Sequence, residues 1–245
     1  MNADPADQLR LLDLQAVDTA LAQLTHKRRT LPELAELTAR ATTAAEATNR
    51  LIDAQTLVAD IELEQRRLEN DVDTVRTRAA KDESRLQAGG LPARELEGLQ
   101  HEIVSLARRQ SSLEDDLLEV MERGEQAESD LAAARTHEES VRSEISELET
   151  RRDASFAEID NTVGQREPQR AAIATALPGD LLALYEKSRA AGGHGAAMLR
   201  QRRCEGCRIE LSGSEVSALR SAAPDAVVRC ENCRAILVRT TESGL

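Results

Sequence analysis

Aromatic side chains are almost absent from this 245-residue chain, which has no tryptophan, one tyrosine (Tyr185) and one phenylalanine (Phe156). Aromatic residues usually supply much of the buried area of a compact core, so their scarcity argues against one large globular core. Charged residues make up 31% of the chain, and alanine, leucine, glutamate and arginine dominate its composition. That mixture is typical of long helices and coiled coils.

Long apolar runs are also missing. No segment approaches the roughly 18 uninterrupted apolar residues of a membrane span. The first ten residues, MNADPADQLR, are acidic and polar, unlike a secretory signal peptide. We therefore expect a cytoplasmic protein with no membrane partner. In a reducing compartment, paired cysteines are metal ligands more often than disulfides.

Catalytic motifs are missing as well. The sequence contains no glycine-rich phosphate-binding loop and no nucleophile motif. Carboxylates are abundant, but nothing in their spacing singles out a pair for acid–base chemistry. We therefore assign no catalytic residue and expect a protein that is not an enzyme.

Positive charge is scarce along most of the chain, which carries 32 lysines and arginines against 44 acids, a net charge of −12. An acidic chain is unlike a protein that coats nucleic acid with its whole surface. The imbalance reverses from residue 196 onward, where eight arginines and six acids give a net charge of +2. Any anion-binding surface is therefore expected in this tail.

Heptad periodicity is the feature that the chain has in abundance. Asp4-Pro5 is a helix start, and Pro32 interrupts the helix that follows, so we expect a kink or break near 30–32. From Leu51 to Leu86, seam positions recur without a slip at alternating three- and four-residue steps. They are Leu51, Ala54, Val58, Ile61, Gln65, Leu68, Val72, Val75, Ala79, Asp82 and Leu86. So narrow a stripe is typical of a left-handed coiled coil.

A second heptad series follows directly after the stretch GGLP at 89–92. It keeps the same alternation from Leu96 to Leu148 and weakens towards Ile159. Glycine permits a left-handed helix cap and proline opens the next helix, so this short link makes the two helices antiparallel neighbours. The sequence therefore predicts a mainly α protein with a long antiparallel coiled-coil hairpin, its tip near 88–93.

Three segments are expected along the chain. Residues 1–177 form the hairpin, and Pro168 and Pro178 mark its end. Residues 178–195 form a short helix followed by a flexible joint, the glycine-rich stretch GGHG. Residues 196–245 form a small C-terminal domain, because their short apolar runs suit small strands. The stretch between its two cysteine pairs is either a capped turn of helix or a loop.

All four cysteines lie in this C-terminal domain, in two matched stretches, RCEGCR and RCENCR, with 22 residues between the pairs. Each CxxC turn aims two sulfurs at one point, so two turns complete the tetrahedron of a structural zinc site. We therefore predict one structural Zn²⁺, with no open position for catalysis. The folding free energy of this C-terminal domain would come largely from the metal, since so small a segment buries little apolar surface. The predicted ligands are Cys204, Cys207, Cys230 and Cys233.

Other interpretations of the cysteines stay open at this point. Two redox dithiols are one, although a thioredoxin-like motif belongs in a βαβ context and does not come in matched pairs. An iron–sulfur cluster held by four thiolates is another. His194 in GGHG is a further metal-ligand candidate, whose alternative role is that of a linker residue.

The order of these parts resembles a bacterial family of coiled-coil proteins that end in a four-cysteine zinc ribbon. The resemblance rests on LDLQAVDTALAQL, ARELEGLQHEI, LPGDLLALYEKSR and the two cysteine stretches. It implies a helical hairpin, a ribbon and no established enzymatic activity. For members of the family it also implies nucleic-acid binding, RNA for some, and regulation of transcription or flagella through partners that include RNA polymerase sigma factors.

One departure from common zinc knuckles stands out. Many knuckles have glycine after the second cysteine, where this chain has Arg208 and Arg234. If the usual turn is kept, the strained backbone is expected at Gly206 and Asn232, which tolerate it best.

Six arginines surround the cysteines, and two roles are open to them. One is phosphate contact, because guanidinium groups pair bidentately with phosphate. The other is solvation of the ribbon and neutralisation of its thiolates. No aromatic residue lies in the ribbon to stack on a base. The six are Arg200, Arg202, Arg203, Arg208, Arg229 and Arg234.

Two functions fit these observations. The first is a non-enzymatic zinc-binding adaptor or regulator, monomeric or dimeric, that presents a helical rod and a ribbon to protein partners, among them transcription-related ones. The alternative is an RNA- or DNA-binding regulator that uses the arginine-flanked ribbon.

Overall fold

The computed structural model describes residues 1–245 and contains five helices and four short strands. The helices are α1 (Pro5–Arg29), α2 (Pro32–Ala88), α3 (Ala93–Thr175), α4 (Gly179–Gly192) and α5 (Gly213–Ser221). The strands are β1 (Ala196–Arg200), β2 (Arg203–Cys204), β3 (Val228–Arg229) and β4 (Ile236–Val238). The chain divides into two compact units: a hairpin unit, Glu33–Thr150, and a ribbon unit, Met1–Pro32 with Arg151–Leu245.

The core of the hairpin unit is the predicted heptad seam. Every seam position from Leu51 to Leu86 and from Leu96 to Leu148 is buried or half-buried. Ile61 and Val120 are 5% and 3% exposed and pack in one cluster with Ala127. The coiled-coil prediction is therefore confirmed at the level of individual seam residues.

Ion pairs across the hairpin unit show its antiparallel register. Arg78 pairs with Glu102 at 2.6 Å, Arg76 with Glu114 at 2.7 Å, and Arg40 with Glu144 at 2.9 Å. Partner numbers rise on α3 as they fall on α2. These side chains are largely exposed, so each pair contributes little to stability, but together the pairs show which residues of α2 and α3 face each other.

The first helix is broken, not only kinked, before Pro32. The N–H of Thr30 donates to the carbonyls of His26 and Lys27 and so ends α1. Pro32 then begins α2. Proline has no N–H to continue a helix, and it pushes the preceding residue out of helical geometry.

The sequence predicted that Pro168 marks the end of the hairpin. The structure differs, because this proline does not end the helix. It lies inside α3, which continues to Thr175. The turns beyond Pro168 bury Ile173 against the ribbon unit's core and place Arg170 against Asp18. This packing outweighs the local cost of an interior proline, about 3 kcal/mol.

The ribbon is built on a four-stranded sheet with the order β2-β1-β4-β3. The central strands β1 and β4 are parallel, with Ala197 opposite Leu237, and both outer pairs are antiparallel. The predicted apolar runs supply β3 and β4, whereas β1 was not foreseen. Between the cysteine pairs, α5 is a true helix, opened by a capping box of Ser212 and Glu215.

The chain start packs on the ribbon, within the ribbon unit. Leu11 and Leu14 of α1 are fully buried in one cluster with Ile236 and Val238 of β4 and with Leu181 of α4. The N–H of Ala3 donates to the carbonyl of Asp225 at 2.8 Å. The N-terminal segment therefore lies against the ribbon, and α1 covers one face of the sheet.

Candidate metal centre and its support

The two cysteine stretches form matching turns at the ends of two strands. Cys204 ends β2, and Cys230 follows β3 directly. In the first turn the N–H of Cys204 donates to the carbonyl of Ile209, and the N–H of Arg208 donates to the carbonyl of Cys204. Cys230, Arg234 and Ala235 repeat these two bonds in the second turn. The repeat in sequence is therefore also a repeat in backbone geometry.

The strained residues of these turns are the two arginines. Arg208 has a φ of 61° and Arg234 a φ of 62°, both in the left-handed region. Gly206 and Asn232 do not have positive φ, so the expectation that they would take the strain is wrong. The knuckle geometry is kept, with arginine in the position where glycine would be strain-free.

Glycine at either strained position is expected to stabilise the ribbon. Arg208→Gly and Arg234→Gly each relieve a left-handed L-residue, which costs about 1 kcal/mol. The matched control is Arg203→Gly, because Arg203 lies in β2 next to Cys204 of the same knuckle as Arg208 and has ordinary φ. Denaturant unfolding of the zinc-loaded protein should rank the Arg208→Gly and Arg234→Gly variants above the unchanged chain, and the Arg203→Gly variant below it. Equal destabilisation by all three would contradict this account.

The four sulfurs fit a tetrahedral metal ion. Their ligand atoms all lie within 4.8 Å of one another, with Sγ of Cys204 and Cys233 3.7 Å apart and Sγ of Cys207 and Cys230 3.8 Å apart. Zinc–sulfur bonds of about 2.3 Å at tetrahedral angles place sulfurs about 3.8 Å apart. A disulfide needs about 2 Å, so the spacing is that of four ligands around one ion.

Burial makes the thiols depend on a cation. Cys204 is fully buried, and this burial raises the pKa of its thiol well above its usual value, although the N–H groups of Cys207 and Gly206 partly offset it. Burial likewise raises the pKa of Cys233. For Cys207, burial is outweighed by hydrogen bonds from the N–H of Ile209 and from neighbouring thiols, which lower its pKa. A divalent metal compensates the buried thiolates and releases their protons on binding.

The predicted flexible joint is in fact a packed contact with α1. The N–H groups of Gly195 and Ala196 donate to Oε1 of Gln15 at 2.7 and 3.2 Å. A Cβ on Gly195 would lie 2.4 Å from the ring of Tyr185, which leaves room only for glycine. The stretch before β1 is therefore held in place. Its composition alone could not show this, because the partners lie about 180 residues away in sequence.

A buried carboxylate joins three helices beside this contact. Asp18 of α1, 6% exposed, accepts from Arg170 of α3 at 2.6 Å and from the hydroxyl of Tyr185 of α4 at 2.7 Å. Glu186 bridges Arg170 and Arg189. Burial alone would raise the pKa of Asp18, but the hydrogen bonds from Arg170 and Tyr185 hold it below its usual value. The carboxylate thus stays ionised and locks the helices that support the ribbon.

All six arginines proposed as phosphate contacts are exposed, and four of them line two separate clefts. Arg200 and Arg203 line one cleft together with Glu205 and Glu210. Arg229 and Arg234 line another together with Glu231. Arg200 also pairs with Glu242 at 2.9 Å. Acidic side chains are therefore interleaved with the arginines in both clefts.

The turn between β1 and β2 presents Arg202 on strained backbone. Gln201 and Arg202 have φ of 46° and 64°, as the central pair of a two-residue hairpin requires. The C-terminal tail supports this turn, since the N–H groups of Gln201 and Arg202 donate to the carbonyls of Glu242 and Ser243. The phosphate-contact role of the six arginines stays a prediction.

Several supporting residues were not found from sequence. Gln15, Asp18 and Arg170 sit in helices without any pattern that marks them. Tyr185 of α4 is fully buried against α1 and has no assigned role in the sequence analysis. Its status as the single tyrosine was the one available signal. Arg239 donates to five backbone carbonyls around the end of α5: Leu219, Ala222, Ala223, Pro224 and Ala226.

His194 lies beside the metal centre but is not one of its ligands. The group of side chains arranged around one point contains the four cysteines and no histidine. The ring of His194 faces Gly206, whose ideal Cβ position lies 3.6 Å from Cγ of the histidine. Sequence spacing, which favoured the four thiolates, identified the ligand set correctly.

Comparison with known families agrees with both parts of the chain. A model of the CT398-like coiled coil hairpin domain matches residues 14–193, and a model of the C4-type zinc ribbon domain matches residues 203–237. The chain belongs to this hairpin-and-ribbon family. The four cysteines accordingly form the site of one structural zinc ion, which sets aside the dithiol and iron–sulfur interpretations.

Individual relatives match nearly the whole chain. "Uncharacterized protein Rv2229c" of Mycobacterium tuberculosis is 37% identical over 239 residues, 98% of each chain. A solved structure from Mycobacterium smegmatis has 35% identity and a TM-score of 0.87, covering 98% of this chain and 100% of its own. CT398 from Chlamydia trachomatis has 18% identity and a TM-score of 0.70, covering 96% and 98%, and this likeness shows the fold alone.

None of the helices of this family member combines the length and the apolar composition needed to cross a membrane. The narrow seam explains this result, because most positions on α2 and α3 are polar or charged.

Proposed function

We propose that this chain is a non-enzymatic adaptor, in which a zinc-stabilised ribbon and a helical hairpin present binding surfaces to protein partners. One observation carries the proposal. The side chains best arranged for chemistry are the four cysteines, and a tetrahedral zinc ion uses all four of them as ligands. A closed site of this kind stabilises a fold and offers no position for a substrate.

Exposed apolar side chains on the hairpin unit support the protein-binding part of the proposal. Leu118 and Met121 of α3 are 59% and 43% exposed, and they are neighbours on the helix surface because they are three residues apart. Ile52, Leu57 and Leu63 of α2 are about half exposed as well. Apolar side chains outside a seam that is already filled are available to a partner helix.

The adaptor function predicts protein partners that depend on this surface. Intact protein purified under native conditions should retain a partner after nuclease treatment, and the Leu118→Glu/Met121→Glu variant should lose it. The control is Glu119→Lys, a charge change on the exposed side of the same helix turn. Mass spectrometry of the eluates measures how much partner each protein retains. A partner that leaves with nuclease treatment and survives the apolar substitutions would overturn the proposal.

Nucleic-acid binding is the alternative, favoured by the exposure of all six ribbon arginines. It requires an affinity for RNA or DNA that falls steeply with salt and drops further in an Arg202→Ala/Arg203→Ala variant. The acids interleaved with these arginines weaken an anion site, so we expect no binding at low salt. A salt titration by fluorescence anisotropy separates the two functions.

A further inference from the structure

A continuous groove runs along one face of α1 in the ribbon unit. One cleft of about 720 Å³ lies between the second half of α1 and the end of α4. A second, of about 460 Å³, lies between the middle of α1 and β1 with the first zinc knuckle. The clefts share Thr19, Gln23 and His194, so they form one groove, here called the α1 groove. It extends from Leu12 to Thr30, about 27 Å at 1.5 Å per residue.

Five alanines are among the residues that line the α1 groove. Ala16, Ala20 and Ala22 line it from α1, and Ala196 and Ala197 line it from β1. Side chains of this size let another backbone approach closely. The opposite face of α1 carries Leu14 and Val17, which are already buried. The groove is therefore the free face of a helix whose other face is used, and its length corresponds to about five turns of a second helix.

The polar side chains of the α1 groove fall into two groups. The first group consists of side chains that already have hydrogen-bond or ion-pair partners within the fold: Gln15, Asp18 and Arg189. The second group consists of side chains without a hydrogen-bond or ion-pair partner within the chain, and all of them line the larger cleft: Gln23, His26, Lys27 and His194. Their donors are therefore available to a bound molecule.

The charge of the α1 groove is uneven. Lys27 lies at the larger cleft without an ionic partner, whereas Arg189 is paired there with Glu186 and the carboxylate of Asp18 with Arg170. Glu205 lies at the other end, beside the first zinc knuckle. On a chain with a net charge of −12, an unpaired lysine in a concave site favours a carboxylate of the bound molecule.

We propose that the α1 groove binds an amphipathic helix of a protein partner, with its small and apolar side chains against α1 and its carboxylates facing Lys27. The proposal rests on the adaptor function and names the partner's chemistry. The elongated shape favours a helix over a compact small molecule, and the cationic end sets the direction in which the helix lies.

Photo-crosslinking tests this occupant directly. The probe is p-benzoylphenylalanine placed at Gln23 of the full-length, zinc-loaded protein in its own cells, with crosslinked peptides identified by mass spectrometry. Thr25 is the matched control position, since it is exposed on the same helix and does not line the groove. We expect crosslinks from position 23 to one helix-forming segment with carboxylates within a turn of the crosslinked residue, and none above background from position 25.

Charge variants then test how the segment is recognised. Lys27→Glu should reduce the crosslink yield from position 23 about tenfold, because a glutamate at this position repels the carboxylate of the partner helix. Lys27→Arg should preserve the yield, and Lys81→Glu, at an exposed lysine of α2, should leave it unchanged. Crosslinks to a second copy of this chain or to nucleic acid, a captured segment without carboxylates, or no effect of Lys27→Glu would each overturn the proposal.

A third probe position separates this proposal from the adaptor function. Leu118 lies on the hairpin surface and carries the crosslinker in a parallel strain. If position 118 gives crosslinks to protein and position 23 gives none, the α1 groove proposal is wrong and the adaptor function is still supported. If neither position gives crosslinks to protein, both the α1 groove proposal and the adaptor function are wrong.

Discussion

Removal of zinc will unfold the ribbon and leave most of the helical structure in place. Structural zinc contributes about 10–16 kcal/mol to the folding of small zinc domains, more than a segment of this size gains from its own core. The buried apolar cluster around the cysteines is small and built on short strands, with Leu199, Leu211, Leu219 and Leu237 as its leucines. Without the metal, its buried thiols lose the cation that compensates them, and the two knuckles separate.

The loss should extend to α1 and α4 but not to the hairpin unit. Leu11 and Leu14 share a core with Ile236 and Val238, so these helices lose their packing surface when the sheet opens. The hairpin seam lies in the other compact unit and contains no ribbon residue. Far-ultraviolet circular dichroism should therefore fall by roughly a quarter, the share of α1, α4 and α5 among the helical residues.

Tyr185 offers a second readout of zinc removal, because it is the single tyrosine in a chain without tryptophan. Its ring is fully buried beside Gly195, and its hydroxyl is bonded to Asp18. Chelation or Cys204→Ser should abolish its near-ultraviolet dichroism, and added zinc should restore it in the unchanged chain alone. Ile209→Ser, at an exposed residue of the same knuckle, is the control. A metal-free protein with an unchanged tyrosine signal, or one that loses most of its helix, contradicts this view.

Asp18→Asn should destabilise the ribbon unit by about 3 kcal/mol, the scale seen when one partner of a buried ion pair is removed. The substitution keeps the side-chain shape but leaves Arg170 without its buried counter-ion and weakens the hydrogen bond from Tyr185. Asp160→Asn is the matched control, since Asp160 pairs with Arg28 while remaining 59% exposed. An exposed pair contributes at most about 1 kcal/mol. Urea unfolding followed by the tyrosine signal measures both, and equal effects would refute the special role of Asp18.

The same carboxylate predicts how stability depends on pH. The pKa of Asp18 in the folded chain lies below its usual value of 3.8, so its contribution is present above that value and is lost as pH falls through the folded pKa. Between about pH 5 and about pH 2, the unchanged chain should therefore lose more stability than the Asp18→Asn variant. Parallel acid titrations of the two proteins would show converging stabilities, and curves that stay a constant distance apart would contradict the assignment.

The seam of the hairpin and the zinc ligands were both determined by sequence alone. Heptad spacing from Leu51 to Leu148 is a local signal, because each seam residue is placed by its neighbours three and four positions away. The cysteines are equally local, since each CxxC turn positions its own two sulfurs. Such features need no knowledge of distant residues, and the structure bears them out residue by residue.

The support of the ribbon was decided only by tertiary structure. The contacts of Asp18 with Arg170 and of Gln15 with Gly195 join residues more than 150 positions apart, and no periodicity in the sequence predicts them. The same holds for Pro168, whose local preference is overruled by the packing of the turns beyond it. At Arg208 and Arg234 the closure of the knuckle imposes a backbone that local preference disfavours. Local spacing thus determined which residues form the seam and bind the metal, whereas long-range packing determined what holds them in place.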